Sequence, residues 1–223
     1  MTNTNLTIVG TRSRPQIAAR AFDALKKMSV TSDFVMIINE DQKDLYPKID
    51  GVTTEVVANG LGCNGKANAI VHKYWDRYET ISGIDDDTIV QTLGWDEILS
   101  KPIREIGYGV SYGNDGIQGE IIPTKVTIST NIVKALGFWV PSTLFHSFAD
   151  DFWKKMGKTI GSLHYFPNVN LEHMHWSNQK SEYDETYQSN TAELVAQDNR
   201  AYAEYLHTQF DSDMARLKES LGT

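Results

Sequence analysis

Apolar positions along the first 90 residues alternate between two patterns. Leu6-Thr7-Ile8-Val9 is a β-branched run closed by Gly10, which predicts a strand and then a loop. Over residues 16–28, Ile17, Ala21, Ala24, Leu25 and Met28 recur at helical spacing. Pro15 stands just before them, where a helix start has no use for the missing N–H. Residues 33–39 carry the unbroken run Phe34-Val35-Met36-Ile37-Ile38, the mark of a strand covered on both faces. A weaker strand over 53–58 leads through Asn59-Gly60-Leu61-Gly62 to a helix expected over 66–78, with Ala69, Ile70 and Tyr74 facing inward. Residues 78–84 complete the series as a fourth strand. Strands alternating with helices predict an α/β layout, whose ligands gather at the carboxyl ends of the strands.

The second half is less regular. Strands are expected over 108–112 and 120–122 around the turn Asn114-Asp115-Gly116, followed by a short helix over 130–136 closed by Gly137. A loop and a helix fill 141–156, and His164-Tyr165-Phe166 and Val169-Asn170-Leu171 are strand pieces. From Glu193 to Leu221, residues such as Leu194, Tyr202, Tyr205, Phe210, Met214 and Leu217 keep a spacing of three to four, an amphipathic helix or pair of helices. Packing onto the domain is the expected use of that stripe; formation of a homo-oligomer is the other.

Composition narrows the class. A chain of 223 residues, 40 % hydrophobic and 22 % charged, can bury a sizeable core in one domain with an appendage. No stretch reaches the roughly 18 apolar residues of a membrane span, and MTNTNLTIVG lacks the basic and apolar regions of a signal peptide. No membrane association and a cytoplasmic setting are therefore expected. The single cysteine, Cys63, excludes an internal disulfide and fits that setting. A formal net charge of −8 argues against tight nonspecific binding to nucleic acid, although a local basic groove is compatible with it.

Asp85-Asp86-Asp87 is the densest chemistry in the chain, at the end of the fourth strand. Adjacent like charges repel and resist desolvation, so the triplet calls for a positive compensator. A divalent Mn²⁺ or Mg²⁺ carrying a diphosphate is the natural one, because such ions take one or two carboxylates and leave room for phosphate oxygens. Glu172-His173-Met174-His175-Trp176 offers imidazoles as further ligands, and in an extended segment both histidines face the same side. The bland alternative for the triplet is a solvated acidic turn. A nucleotidyltransferase would use similar acids but calls for a Gly-rich loop after the first strand, which Gly10-Thr11-Arg12-Ser13 is not; a metal-dependent hydrolase commonly gathers more histidines than the six scattered here. A catalytically silent nucleotide- or sugar-binding module is the rival from another class.

Several ordered stretches together resemble a GT-A-type glycosyltransferase, and more narrowly the small family-2-like glycosyltransferases of bacteriophages and prophages. They are TRSRP from Thr11, GIDDDTIV from Gly83, GWDEIL from Gly94, GYGVSYGNDGIQGEIIPT from Gly107, NIVKALGFWVPSTLFHSFADDFW from Asn131 and YFPNVNLEHMHW from Tyr165, with Lys180 and YDETY from Tyr183. The resemblance implies a GT-A-like, Rossmann-like mixed sheet flanked by helices over residues 1–187, with a C-terminal amphipathic helical appendage over 188–223. It implies a metal-dependent, inverting transfer of sugar from a nucleoside-diphosphate sugar, UDP-linked by preference, to an acceptor hydroxyl. The loop Thr11, Arg12, Arg14 and Pro15 would then lie along base and ribose, Glu40 and Asp41 would meet the base, and Lys66 would reach a phosphate. Asp85 and Asp86 would contact the donor, while Asp85, Asp87, His173 and His175 would supply metal ligands. Asp150, with Asp151 beside it, would be the base that takes the acceptor proton; the plain alternative for that pair is a helix cap. Phage kinship would place the protein in the host cytoplasm and makes a 5-hydroxymethylpyrimidine in DNA one acceptor, with Lys154, Lys155 and Lys158 as a cationic rim; a glycan or protein hydroxyl is the other.

Overall fold

The computed structural model describes residues 3–223; positions 1 and 2 of the expected 1–187 unit lie outside the described residues. In chain order the strands are β1 Asn5–Gly10, β2 Ser32–Asn39, β3 Val52–Val57, β4 Thr80–Gly83, β5 Thr88–Val90, β6 Val110–Asn114, β7 Val126–Ser129 and β8 Leu163–His173. The helices are α1 Pro15–Met28, α2 Cys63–Val71, α3 Trp95–Ile106, α4 Thr130–Leu136, α5 Ala149–Thr159, α6 Glu185–Ser189, α7 Ala192–Thr208 and α8 Phe210–Leu221. One mixed sheet runs in the order β3-β2-β1-β4-β7-β6-β8-β5. β1 to β4 pair in parallel, β7 runs antiparallel to both β4 and β6, and β8 lies parallel to β6 but antiparallel to β5.

The sheet is covered on both faces, which is why its central strands read as unbroken apolar runs. Val35 and Ile37 of β2 join one core cluster, while the alternating Met36 and Ile38 join the other. The first cluster takes in α2, α4 and α5, with Phe152 and Met156, and also Tyr205, Phe210, Met214 and Leu217 of α7 and α8. The second is closed by Phe22 and Leu25 of α1 with Trp95 and Leu99 of α3. The apolar stripe near the C-terminus is thus spent inside the chain, on a pair of helices broken at Gln209.

Two expectations are corrected, and one helix lies beyond them. The helix expected over 66–78 runs from Cys63 to Val71, so Lys66 sits within it rather than at its start. Residues 120–122 form no strand: the Asp115 carboxylate accepts the N–H groups of Ile117, Gln118 and Gly119, folding the segment into a turn, and the strand follows at Val126. Helix α3 was not anticipated, although Trp95, Leu99 and Ile103 repeat every four residues and are buried; Pro102 within it disguised the pattern.

Candidate metal centre

The loops after β1, β2 and β4 emerge at one edge of the parallel strands, and the acidic triplet lies in the last of them. Each aspartate has a different partner. Asp85 accepts from Lys125 Nζ at 2.6 Å; this lysine is 1 % exposed and leads into β7. Burial works against the Lys125 charge, yet Asp85 and Asp87 raise its pKa above the ordinary value. Asp86 accepts the Thr11 hydroxyl at 2.6 Å and Arg14 Nη1 at 3.2 Å. Burial, followed by the charge of Asp87, pushes the Asp86 carboxyl up to about 6. Asp87 Oδ2 accepts the Tyr187 hydroxyl at 2.6 Å and Arg14 Nη1 at 3.4 Å. Burial opposes the Asp87 charge, but His173, Lys125 and Tyr187 hold its carboxyl well below the usual range.

Arg14 is the hub of this arrangement. Its guanidinium grips Asp184 at 2.6 and 2.7 Å, lies 4.3 Å above the Tyr187 ring and reaches Asp86 and Asp87. The backbone N–H of Arg14 donates to the Tyr46 hydroxyl, which in turn meets Thr11. The compensator that the triplet calls for is thus in part the protein itself. Four carboxylates, Asp85, Asp86, Asp87 and Asp184, share direct ion pairs with two cations, Arg14 and Lys125. That balance leaves room for a divalent ion.

The geometry agrees. Oxygen and nitrogen atoms of Asp85, Asp87 and His173 all lie within 4.8 Å of one another. His173 Nε2 is 3.2 Å from Asp87 Oδ1 but off the line of a hydrogen bond, so that fully buried oxygen has no donor. A buried carboxylate oxygen without a well-aligned donor, facing an imidazole nitrogen, suits a cation, and oxygen with imidazole suits Mn²⁺ or Mg²⁺. The pair is set by backbone register: His173 stands opposite Thr88 in the β5–β8 ladder, and Met174 N–H donates to the Asp87 carbonyl at 2.8 Å. His175 is not in the cluster. Its Nδ1 pairs with Ser177, and its ring packs against His173 and Tyr187.

The remaining expected site residues fall in the loops after β1 and β2, at the starts of α1 and α5, and in α2. Arg12 is engaged by Asp41 through two hydrogen bonds of 3.1 and 2.7 Å, both side chains lying at the exposed rim; Glu40 is exposed beside them. Pro15 opens α1. Lys66 is buried and donates to the Thr11 carbonyl at 2.8 Å, bracing the β1 loop. Asp150 and Asp151 lie in the first turn of α5. Asp150 is half-buried, and burial with the Asp151 charge raises its carboxyl, while Lys125 acts on it in the opposite direction. Lys125, Tyr46, Asp184 and Tyr187 were not singled out from the sequence; the last two fall in the YDETY stretch, but only the folded chain returns that segment to Arg14. Between α1, β5 and this returning segment lies a cavity of about 280 Å³ bordered by Ile17, Ile89 and Met174.

The sequence matches no family model and no curated protein. Among solved structures, a mannosyltransferase from Pyrobaculum calidifontis in complex with GDP-Man and Mn²⁺ aligns over 100 % of this chain and 75 % of its own, with a TM-score of 0.58 and 10 % identity. A protein from Mycobacterium sp. strain JC1, homologous to Rv0371c of Mycobacterium tuberculosis, aligns over 88 % and 99 % at a TM-score of 0.57 and 12 % identity. The Mycobacterium tuberculosis Rv0371C complex with manganese aligns over 80 % and 96 % at a TM-score of 0.53 and 11 % identity. The fold is GT-A-like, a mixed sheet between helical layers with the C-terminal helices attached.

Proposed function

We propose that this chain is a metal-dependent, inverting glycosyltransferase that moves a sugar from a nucleoside-diphosphate sugar to an acceptor hydroxyl. The observation that carries this reading is the buried, donorless Asp87 Oδ1 facing His173 Nε2 beside Asp85. Asp85, Asp87 and His173 would hold Mn²⁺ or Mg²⁺, which supplies charge neutralisation for the departing diphosphate without a proton. The likeness to a mannosyltransferase holding GDP-Man supports the donor class and sets GDP-sugars beside the UDP-sugars first favoured.

The chain's own residues then divide the work. Arg14, Lys125 and Tyr187 hold the carboxylates in place, as outer-shell partners do in metal sites. Arg12 exchanges its exposed partner Asp41 for the nucleotide, with Thr11, Pro15, Glu40 and Lys66 shaping that side, a reading supported by the solvent access of the Arg12–Asp41 pair. Asp150 takes the proton of the attacking hydroxyl, a role that its raised pKa favours, and Asp151 keeps that pKa up. The acceptor is a hydroxymethylpyrimidine in DNA, approached along Lys154, Lys155 and Lys158 of α5, or else a glycan or protein hydroxyl.

The test is nucleotide release in Mn²⁺ from a panel of UDP- and GDP-sugars, alone and with hydroxymethylpyrimidine DNA or a glycan, beside a His173→Ala control. Metal-dependent release lost in the variant is expected, and the additive that accelerates it identifies the acceptor. Donor binding without release would make the chain a binding module. A folded protein that takes up neither Mn²⁺ nor any donor would refute the reading.

A further inference from the structure

Asp198 lies in the middle of α7, beyond every stretch that suggested a function, and is completely buried. Aspartate is a poor residue for a helix interior, and burying its charge is unfavourable unless strong partners replace water. Its partners are backbone groups of one loop. The carboxylate accepts the N–H of Phe145 at 2.9 Å, of His146 at 2.8 Å and of Ser147 at 2.7 Å. Among the described residues it makes no ion pair. An isolated buried carboxylate spent on three consecutive amides serves to hold that loop in one shape.

The loop runs between α2, which carries Lys66, and α5, which carries Asp150. On one side, the Phe145 carbonyl accepts Asn64 N–H at the start of α2, and a Cβ on Gly62 would fall 2.2 Å from the same oxygen. On the other, Phe148 caps α5 in the left-handed region, at φ 66°, and sets the direction in which Ala149 and Asp150 leave. A non-glycine residue in that region is strained and persists only where its surroundings hold it. Here the Phe148 ring stacks at 5.6 Å on Tyr202, one turn beyond Asp198 on α7.

We propose that Asp198 is a positioning residue: through the 145–148 loop, α7 sets where Asp150 stands relative to the donor side of the site. The inference rests on the role assigned above to Asp150. Helix α7 is thereby part of the working site.

Asp198→Ala and the milder Asp198→Asn, which keeps one acceptor oxygen, test this in the full chain. Hydrogen exchange of the Phe145, His146 and Ser147 amides is read alongside Mn²⁺ affinity and steady-state transfer. The expected result is faster exchange at those amides and a kcat reduced about 10- to 100-fold, with donor KM and Mn²⁺ affinity within about threefold of wild type and Asp198→Asn intermediate. Unchanged exchange, or faster exchange with unchanged kcat, overturns the proposal. So does a parallel loss of kcat, Mn²⁺ affinity and thermal midpoint, which would mark general destabilisation. If Asp198→Ala does not fold, the same criteria apply to Asp198→Asn. Because exchange is read whether or not a donor turns over, a failure of the glycosyltransferase reading is told apart from a failure of the loop argument.

Discussion

Replacing Asp86 by asparagine should stabilise the metal-free protein, and by a calculable amount. Asp86 is almost wholly buried, and burial together with Asp87 pushes its carboxyl up to about 6. Against an ordinary aspartate near 3.9, that shift penalises the ionised form in the folded state by about 3 kcal/mol at pH 7.5. The sign follows from proton binding. Between about pH 4 and pH 6 the folded carboxyl keeps a proton that the unfolded one has lost, so stability from this group is highest at low pH and is lost as pH rises through about 6. Asparagine resembles the protonated form. It keeps an oxygen for the 2.6 Å bond from Thr11 and gives up the 3.2 Å contact with Arg14, which retains Asp87 and Asp184. Deducting about 1 kcal/mol for that contact leaves a net gain of about 2 kcal/mol at pH 7.5. For a chain of this size the gain corresponds to a rise of about 4–8 °C in Tm. At pH 5 the ionisation penalty is only about half as large, so the gain should shrink below about 1 kcal/mol. Urea unfolding of both proteins in chelator at the two pH values measures it. An Asp86→Asn protein less stable than wild type at pH 7.5, or equally stabilised at both pH values, would refute the reasoning.

Two further outcomes are expected. Arg14→Met strips Asp86, Asp87 and Asp184 of their shared cation, and should cost about 3–5 kcal/mol in chelator. Mn²⁺ should then raise the variant's Tm by more than it raises that of wild type, since the ion replaces the missing charge; equal rises would count against the charge balance drawn here. Tyr187→Phe removes the hydroxyl that fixes Asp87 Oδ2 and should weaken Mn²⁺ binding about 10- to 100-fold in calorimetry, with Tm little changed. Unaltered affinity would remove Tyr187 from the site.

Some of the fold was legible because periodicity reports burial. β2 was readable since both its faces are covered, and α1 since Ile17, Ala21 and Leu25 repeat on one side. Helix α3 escaped because Pro102 argues locally against a helix, although its N–H-free position is tolerated once Trp95, Leu99 and Ile103 are buried together. The strand looked for at residues 120–122 is replaced by a turn: the Asp115 carboxylate captures the N–H groups of Ile117, Gln118 and Gly119 just before it, and the Ile121 N–H turns back to the Gln118 carbonyl. Such capture depends on where one side chain points, and no spacing rule conveys that.

The sequence by itself determined the alternation of strands and helices, and hence an acidic triplet at the carboxyl end of a parallel strand. Both follow from local spacing, which a linear pattern records. Tertiary structure alone decided what neutralises the triplet. Arg14, Lys125 and Asp184 are separated by 72, 40 and about 100 residues from the aspartates they meet or accompany, and His173 reaches Asp87 only through the β5–β8 register. It likewise decided that His173 joins the cluster while His175 turns to Ser177, two positions apart in the chain but with different neighbours. Charge compensation acts through space over a few ångströms, so it is settled only when distant segments are brought together and water is excluded.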